Sequence, residues 1–501
     1  MVADISPKET KGLKYIGYKG LGFRSILGWA SSIAILSGKA SWGFGKSSAI
    51  KWLSKLKSQS QKITDRLNQH FDKTGIKDPI AVLDVPIPLD EKVIDKNLLT
   101  LEKEGGLFLE KGFDTVICLG FSSPKKTYPL VEKQINSLGS ETLLFLNHII
   151  SMEINTPAKE TKRWRVERDK TVIMVSTSDD KSQIWDLFMD EGEIPDKYLS
   201  VEKKINNKYE IKIAIPTTHE SSINRLYTYF PTKVSFPFPV VAHATFELTS
   251  NRQNLIDSEA NKYVAKRLAK LMAESAEKVK KINEPWYALT SFTPYSDTHP
   301  DLEVIGFVDC LKEYLQIASI VPTINGKFMP SLDVKQAKGN FDNLLKGALF
   351  DDICLFPPND KLLNKLDIEY IDYDDLKARI NRITKQLPLE SRAELIFLLC
   401  KNYKHVSDEA PELFLDTEGE VMQKDLIPVL PPEDKVFSLP VWVRYRIIKS
   451  DLLGLLKYHF NVSRNRDLTT ELKIFNVQEY NLRTLVSAIV SGARKRTEEV
   501  R

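Results

Sequence analysis

The tightest constraint in this 501-residue chain is a concentration of glycine near its start. Seven of the 22 glycines fall between Gly17 and Gly45, separated by short apolar runs. Within that stretch, IGYKGLGFRS at Ile16 to Ser25 sets Gly17, Gly20 and Gly22 in a G-x-x-G-x-G spacing. Glycine takes left-handed angles and lets the backbone come close to a ligand, so successive amide N–H groups can point at one phosphate chain. The apolar run that follows would make a helix whose N-terminus adds a partial positive charge. The same spacing also suits a glycine-rich turn ahead of a core helix, so the loop alone leaves both readings open. GFGKSS, at Gly43 to Ser48, imitates the end of a P-loop, but Ala40 stands where that motif needs its first glycine, which makes it a decoy.

The rest of the chain reads as folded protein. Apolar residues make up 42% and charged residues 28%, and the length calls for two to four domains. A net charge of +4, from 71 basic and 67 acidic residues, is too near balance to point to nucleic acid or a membrane. Cys118, Cys310, Cys354 and Cys400 lie far apart without metal-ligand spacing, as expected for reduced thiols. The longest apolar window, Ile26 to Leu36, is too short to cross a bilayer, and the first residues lack the apolar stretch of a secretory signal. A cytoplasmic location is expected.

Along the chain, Ala49 to Phe71 reads as an amphipathic basic helix with a solvated face at Lys51 to Lys62, and IAVLDVPIPLD as strand and loop. FDTVICL at Phe113 to Leu119 reads as a buried strand, and LLFLNHIISMEI from Leu143 as a short helix passing into a strand. Two strands are expected in Arg163 to Ser176, with more at Tyr209 to Ile215 and Val240 to Leu248. Ser258 to Lys281 predicts a long helix with Val264, Leu268, Leu271 and Met272 on its apolar face. Beyond Asn283 proline- and aromatic-rich loops give way to helices at Glu390 to Cys400 and Trp442 to Tyr458. FLDTEGEV, with Asp416 and Glu418, and TINGKF read as hairpin turns. His148 and His243 sit in apolar contexts, as satisfied core or interface histidines do.

IGYKGLGFRS closely resembles the lid-end glycine motif of the GHKL superfamily, which includes gyrase, the ninety-kilodalton heat-shock chaperone, histidine kinases and MutL; it looks most like the sacsin-type branch. Three later segments, in the same order, are similar to that branch: FDTVICL to its last ATP-domain strand, Leu143 to Ile154 to its domain junction, and Tyr227 to Leu255 to its middle domain. The resemblance covers about the first 285 residues. It implies an α/β fold: an α+β sandwich of incomplete Bergerat type at 1–122, an α/β middle domain at 123–285 and a mainly helical region at 286–501. It further implies that ATP is bound through Gly17 and the backbone of Lys19, Gly20, Leu21, Gly22 and Phe23, with Thr115 at the adenine end through a water-bridged hydrogen bond. A threonine hydroxyl both donates and accepts, which suits a base edge, and it is equally at home as an ordinary strand residue. Arg252, in SNRQNL, matches the position from which the chaperone's middle domain sends an arginine to the γ-phosphate. Its forked, fixed charge suits a phosphate gaining charge, and the alternative is a surface arginine at a strand end.

The chain departs from the family before the lid. Only fifteen residues precede the motif, with Asp4 and Glu9 but no helix carrying the catalytic glutamate and Mg²⁺-binding asparagine, and no D-x-G-x-G that reads adenine. Hydrolysis by this chain alone is therefore not expected. A truncated or split reading frame, or a complementary upstream polypeptide, would account for the missing half. The expected function is an ATP-binding, chaperone-like conformational switch acting on protein clients or sensing within a bacterial defence system. The alternative is a nucleotide-independent protein-interaction scaffold derived from such an ATPase.

Overall fold

The structure is a computed structural model that describes residues 30–75, 82, 86–89, 95–136, 138–156, 159–177, 181–200, 207–217, 224–249, 253–403, 412–431 and 442–499. The fold is mixed α/β, with mainly antiparallel sheets and a C-terminal region dominated by helices. Packing divides the chain into one unit of Met1–Thr142 with Met152–Trp164, and another of Leu143–Ser151 with Arg165–Arg501.

In the first unit, β1 (Ala30–Ser37), β2 (Ala40–Gly45), β3 (Ile87–Pro88) and β4 (Thr115–Phe121) form a four-stranded antiparallel sheet in the order β3-β2-β1-β4. β1 and β2 are joined through Gly38, whose φ of 57° is a conformation glycine takes at no steric cost. Side chains alternate between faces along each strand. Ala34 and Leu36 of β1 therefore share one face with Val116 and Cys118 of β4, and helix α3 (Lys96–Glu110) packs there through Leu98, Leu101 and Leu109. Gly105 permits the close approach: a Cβ there would stand 2.8 Å from Leu36 Cδ1 and 3.0 Å from Cys118 Sγ.

The expected single helix over Ala49 to Phe71 is two helices, α1 (Lys46–Gln59) and α2 (Gln61–Thr74). Ser60 is extended between them (φ −147°, ψ 108°), its N–H still bonded to Leu56 O at 3.0 Å. Serine within the run SQSQ competes for local backbone groups, which is how such a residue interrupts a helix that an apolar period alone would continue. Helix α4 (Pro124–Asn136) follows β4. β4 starts two residues later than expected and is not buried on both faces, because α3 covers only one of them.

The second unit carries β7 (Val172–Thr177), β8 (Ser182–Glu193), β9 (Lys208–Pro216), β10 (Tyr227–Thr228), β11 (Phe230–Pro231) and β12 (Val241–Ala244). These join β5 (Ser151–Thr156) and β6 (Lys159–Asp169) in a sheet ordered β11-β10-β12-β9-β8-β7-β6-β5. Tyr209, Ile211, Ile213 and Ile215 of β9 face helix α5 (Glu259–Lys278), which buries Val264, Leu268, Leu271 and Met272 as its sequence period predicts. Ser258 caps α5 by accepting from Asn261 N–H, and the buried Asn261 side chain ties the helix start to Glu247 and Ile256. The same core continues past the composition change at 283 into α6 (Tyr287–Phe292), α7 (Pro300–Val304) and α8 (Phe307–Ile317), and on to α9 (Asp360–Asn364).

A second core gathers α10 (Tyr373–Ile383), α11 (Leu389–Asn402), α12 (Ser450–Phe460) and α13 (Asn465–Glu471), and α14 (Leu482–Glu499) ends the described chain. The region also holds two small pairs, β13 (Val321–Pro322) with β14 (Phe328–Met329), and β15 (Ile427–Val429) with β16 (Tyr445–Ile447). Trp442 to Tyr458, expected as one helix, is thus a strand followed by α12; Arg446 and Ile447 pair with Pro428 and Val429, and such pairing is invisible to a local period. TINGKF is the β13–β14 turn, with Gly326 at φ 75°. FLDTEGEV is a hairpin in which the Asp416 carboxylate accepts from Glu418 and Glu420 N–H.

Candidate functional site

The face of the first sheet turned away from α3 is an apolar floor. Register sets Ile33 between Phe44 and Leu119, Ile35 between Trp42 and Ile117, and Ser37 between Ala40 and Thr115. Ile33 and Phe44 are buried, together with Ala30 and against Val82. Burial then fades along the strands: Trp42 is 42% exposed, Ile117 52%, and Thr115 lies at the open end. There Thr115 Oγ1 and Ser37 Oγ are 2.8 Å apart, a hydroxyl pair able to present one donor and one acceptor at the rim of an apolar surface.

Thr115 is the one predicted site residue whose position the structure gives. Gly17, Lys19, Gly20, Leu21, Gly22, Phe23 and Arg252 lie outside the described residues. Thr249 N–H bonds to Asn254 O at 2.9 Å and Leu248 bridges Leu255. The GFGKSS segment joins β2 to α1, and Ser48 Oγ donates to Asp95 Oδ2 at 2.8 Å. That carboxylate occupies the hydroxyl and sets negative charge where a phosphate would need to sit. Among the described residues there is no group of three or more His, Cys, Asp or Glu side chains placed to hold a metal ion.

One polar cluster went unnoticed in the sequence. On the face of β9 opposite α5, Glu210 and Lys212 are both buried, with Lys212 Nζ 2.7 Å from Glu210 Oε1 and 3.1 Å from Asn147 Oδ1. His243, directly across from Lys212 on β12, is fully buried; its Nδ1 accepts from Tyr229 N–H at 3.0 Å and its Nε2 stands 3.9 Å from Glu210 Oε1. Because Nδ1 accepts, the neutral ring carries its proton on Nε2. Burial drives the imidazole down to about 3, against the upward pull of the Glu210 carboxylate and with a further downward push from Lys212. Phe145 and Tyr229 pack against the ring, with centroids 5.3 and 4.4 Å away. His148, by contrast, is exposed.

Nearby, the Arg168 guanidinium donates to Leu143 O, Leu146 O and Ile149 O. Arg168 and Lys212 together fasten Leu143 to Ile149 within the second unit. The cluster is a fastening: its charges face one another and a main-chain segment. The four cysteines are free thiols; burial pushes Cys354 up to about 12 and raises Cys400, so neither is nucleophilic at neutral pH.

No family model matches the chain, and comparisons with curated proteins and with solved structures find no match.

Proposed function

We propose that the chain is an ATP-responsive, chaperone-like conformational switch of the GHKL, sacsin-like class, working in the cytoplasm on protein clients or partner subunits. The carrying observation is the floor itself: Thr115, named from sequence for the adenine end, stands at the open rim of an apolar sheet face with Ser37, Ile35, Ile117 and Trp42. A planar base over Ile35 and Ile117 would be met by apolar surface below and by the Ser37–Thr115 hydroxyls at its edge. The reach also suffices. β1 is about 23 Å from Ala30 to Ser37 at ~3.3 Å per residue. Phe23, seven residues ahead of Ala30, spans up to about 25 Å when extended. A glycine segment folded back along β1 could therefore bring the phosphates of a bound nucleotide to Lys19–Phe23. Arg252 would then couple nucleotide state to closure between domains. Four free thiols suit a reducing compartment, and no helix among the described residues is long and apolar enough to cross a membrane.

The test is titration of the chain with a fluorescent ATP analogue in the presence of Mg²⁺. Saturable binding is expected, with at least a tenfold loss in Ile117→Arg, a substitution at an exposed position that leaves the melting temperature unchanged. Absence of binding at millimolar nucleotide overturns the switch and leaves the nucleotide-independent scaffold. Arg252→Ala is expected to leave nucleotide affinity within about twofold while reducing any ATP hydrolysis.

A further inference from the structure

Helices α1 and α2 differ from the rest of the first unit in charge and in burial. Residues 46–74 carry seven Lys or Arg and two Asp, so this one stretch holds more net positive charge than the +4 of the whole chain. Ser48 and Ala49, at the start of α1, are buried, whereas no residue from Ile50 to Thr74 is. Both helices are nonetheless amphipathic. Ile63, Leu67 and Phe71, at i, i+4 and i+8, line one stripe of α2, and Phe71 is 46% exposed. Lys62, Arg66 and His70 each precede a residue of that stripe and form a parallel flank about 100° round the helix, with Lys73 on the same side. Asp65 and Asp72, the two acidic residues, lie across the axis from the stripe. In α1, Ile50, Trp52, Leu53 and Leu56 share one side, with Ile50 40% and Trp52 45% exposed. Thr64 Oγ1 donates to Lys57 O at 3.3 Å and so ties the two helices across the bend at Ser60.

We propose that α1 and α2 lie on an anionic lipid surface, with Ile50, Trp52 and Phe71 set among the headgroups and the basic side chains on lipid phosphates and carboxylates. A helix as short as α2 gains little from its own hydrogen bonds in water, so its stability rests on a cover for its apolar stripe. Among the described residues the first unit buries no part of it. The arrangement of charge says what the cover is. A basic flank borders the apolar stripe and the acidic residues are turned away, so the covering surface must be apolar and negative at the same depth. An anionic bilayer is both: lysine and arginine stems run along apolar surface to reach the headgroups, and tryptophan favours that boundary. A nucleic acid would take the charges but leave Ile50, Leu67 and Phe71 in water. This contact does not depend on nucleotide, and the near-neutral remainder of the chain leaves the attraction local to the two helices.

Flotation of the full chain with lipid vesicles tests the proposal. Binding to vesicles of phosphatidylcholine mixed with phosphatidylserine is expected to exceed binding to phosphatidylcholine alone by at least about tenfold, and to fall as salt is raised. Trp52→Ser with Phe71→Ser, and separately Lys62→Glu with Arg66→Glu, should each weaken that binding by at least about tenfold. All four side chains are exposed, so the melting curve of each variant should match that of the wild type. Failure of the wild type to float with the mixed vesicles overturns the proposal, as does equal binding to phosphatidylcholine alone. So does binding that survives both pairs of substitutions, and so does capture of duplex RNA or polyglutamate in place of vesicles.

Discussion

His243 shows how a single side chain sets a property of the whole second unit. Its folded value of about 3 lies far below the ordinary 6.5, so between those pH values the unfolded chain binds a proton that the folded chain refuses. Stability is therefore full above about pH 6.5 and is lost as pH falls toward 3, at up to about 1.4 kcal/mol per pH unit. Urea unfolding at pH 7 and pH 4.5 should show this loss, and His243→Gln, which keeps an acceptor for Tyr229 N–H, should flatten it. Arg379 is a second residue with a measurable role. It spans Asp352 and Asp375, with Nη1 near Asp352 Oδ1 at 2.5 Å and Nη2 2.9 Å from Asp375 Oδ2, and donates to Leu349 O. Arg379→Ala would leave two half-buried carboxylates facing each other, a loss of about 2–3 kcal/mol given partial exposure. A shift in the urea midpoint measures it. At this scale the sequence placed His243 correctly as a core histidine. It concealed Glu210 and Lys212, because KYEIKIAIP alternates as a strand with one wet face does; in the fold Asn147 bonds Lys212 and His243 of β12 stands beside Glu210, so that face is buried.

Elements depend on where neighbours approach. α3 can lie against β1 and β4 because position 105 has no side chain, so Gly105→Val should destabilise the first unit by about 1–3 kcal/mol through overpacking. Thermal unfolding of that unit reads the change. The Leu143 to Ile149 segment is fastened by Lys212 and Arg168 with little regular structure of its own. Lys212→Met would strand Glu210 in the interior beside His243, at a cost of about 3–5 kcal/mol. Amide exchange at Leu143 to Ile150 should then accelerate ahead of β9, whereas uniform acceleration would count against a local fastening. Elements with a strong period, such as α5 and α11, were legible in the sequence. The break at Ser60 and the β16 strand were not, since one rests on local backbone competition and the other on a partner distant in sequence.

Across the whole molecule the two units differ in how much they bury. Among the described residues the first shows small clusters around Ile33 and Leu98, while the second shows large cores around α5 and around α11. Less buried apolar surface per residue means lower local stability. Calorimetry is therefore expected to give two transitions, the first assigned by faster amide exchange across β1 to α4. On the proposed function, ATP should raise only that first transition, since a ligand stabilises the unit that binds it.

The sequence by itself determined the mixed α/β class, the helix-rich C-terminal region, the period of α5 and the hairpin turns, because each follows from local propensity and pattern. It also supplied Thr115 as a candidate. Only the tertiary structure decided that Thr115 would stand beside Ser37 on an open apolar face, and that Glu210 and Lys212 would be buried. Those outcomes depend on which face each neighbour covers, and a one-dimensional pattern does not carry that information.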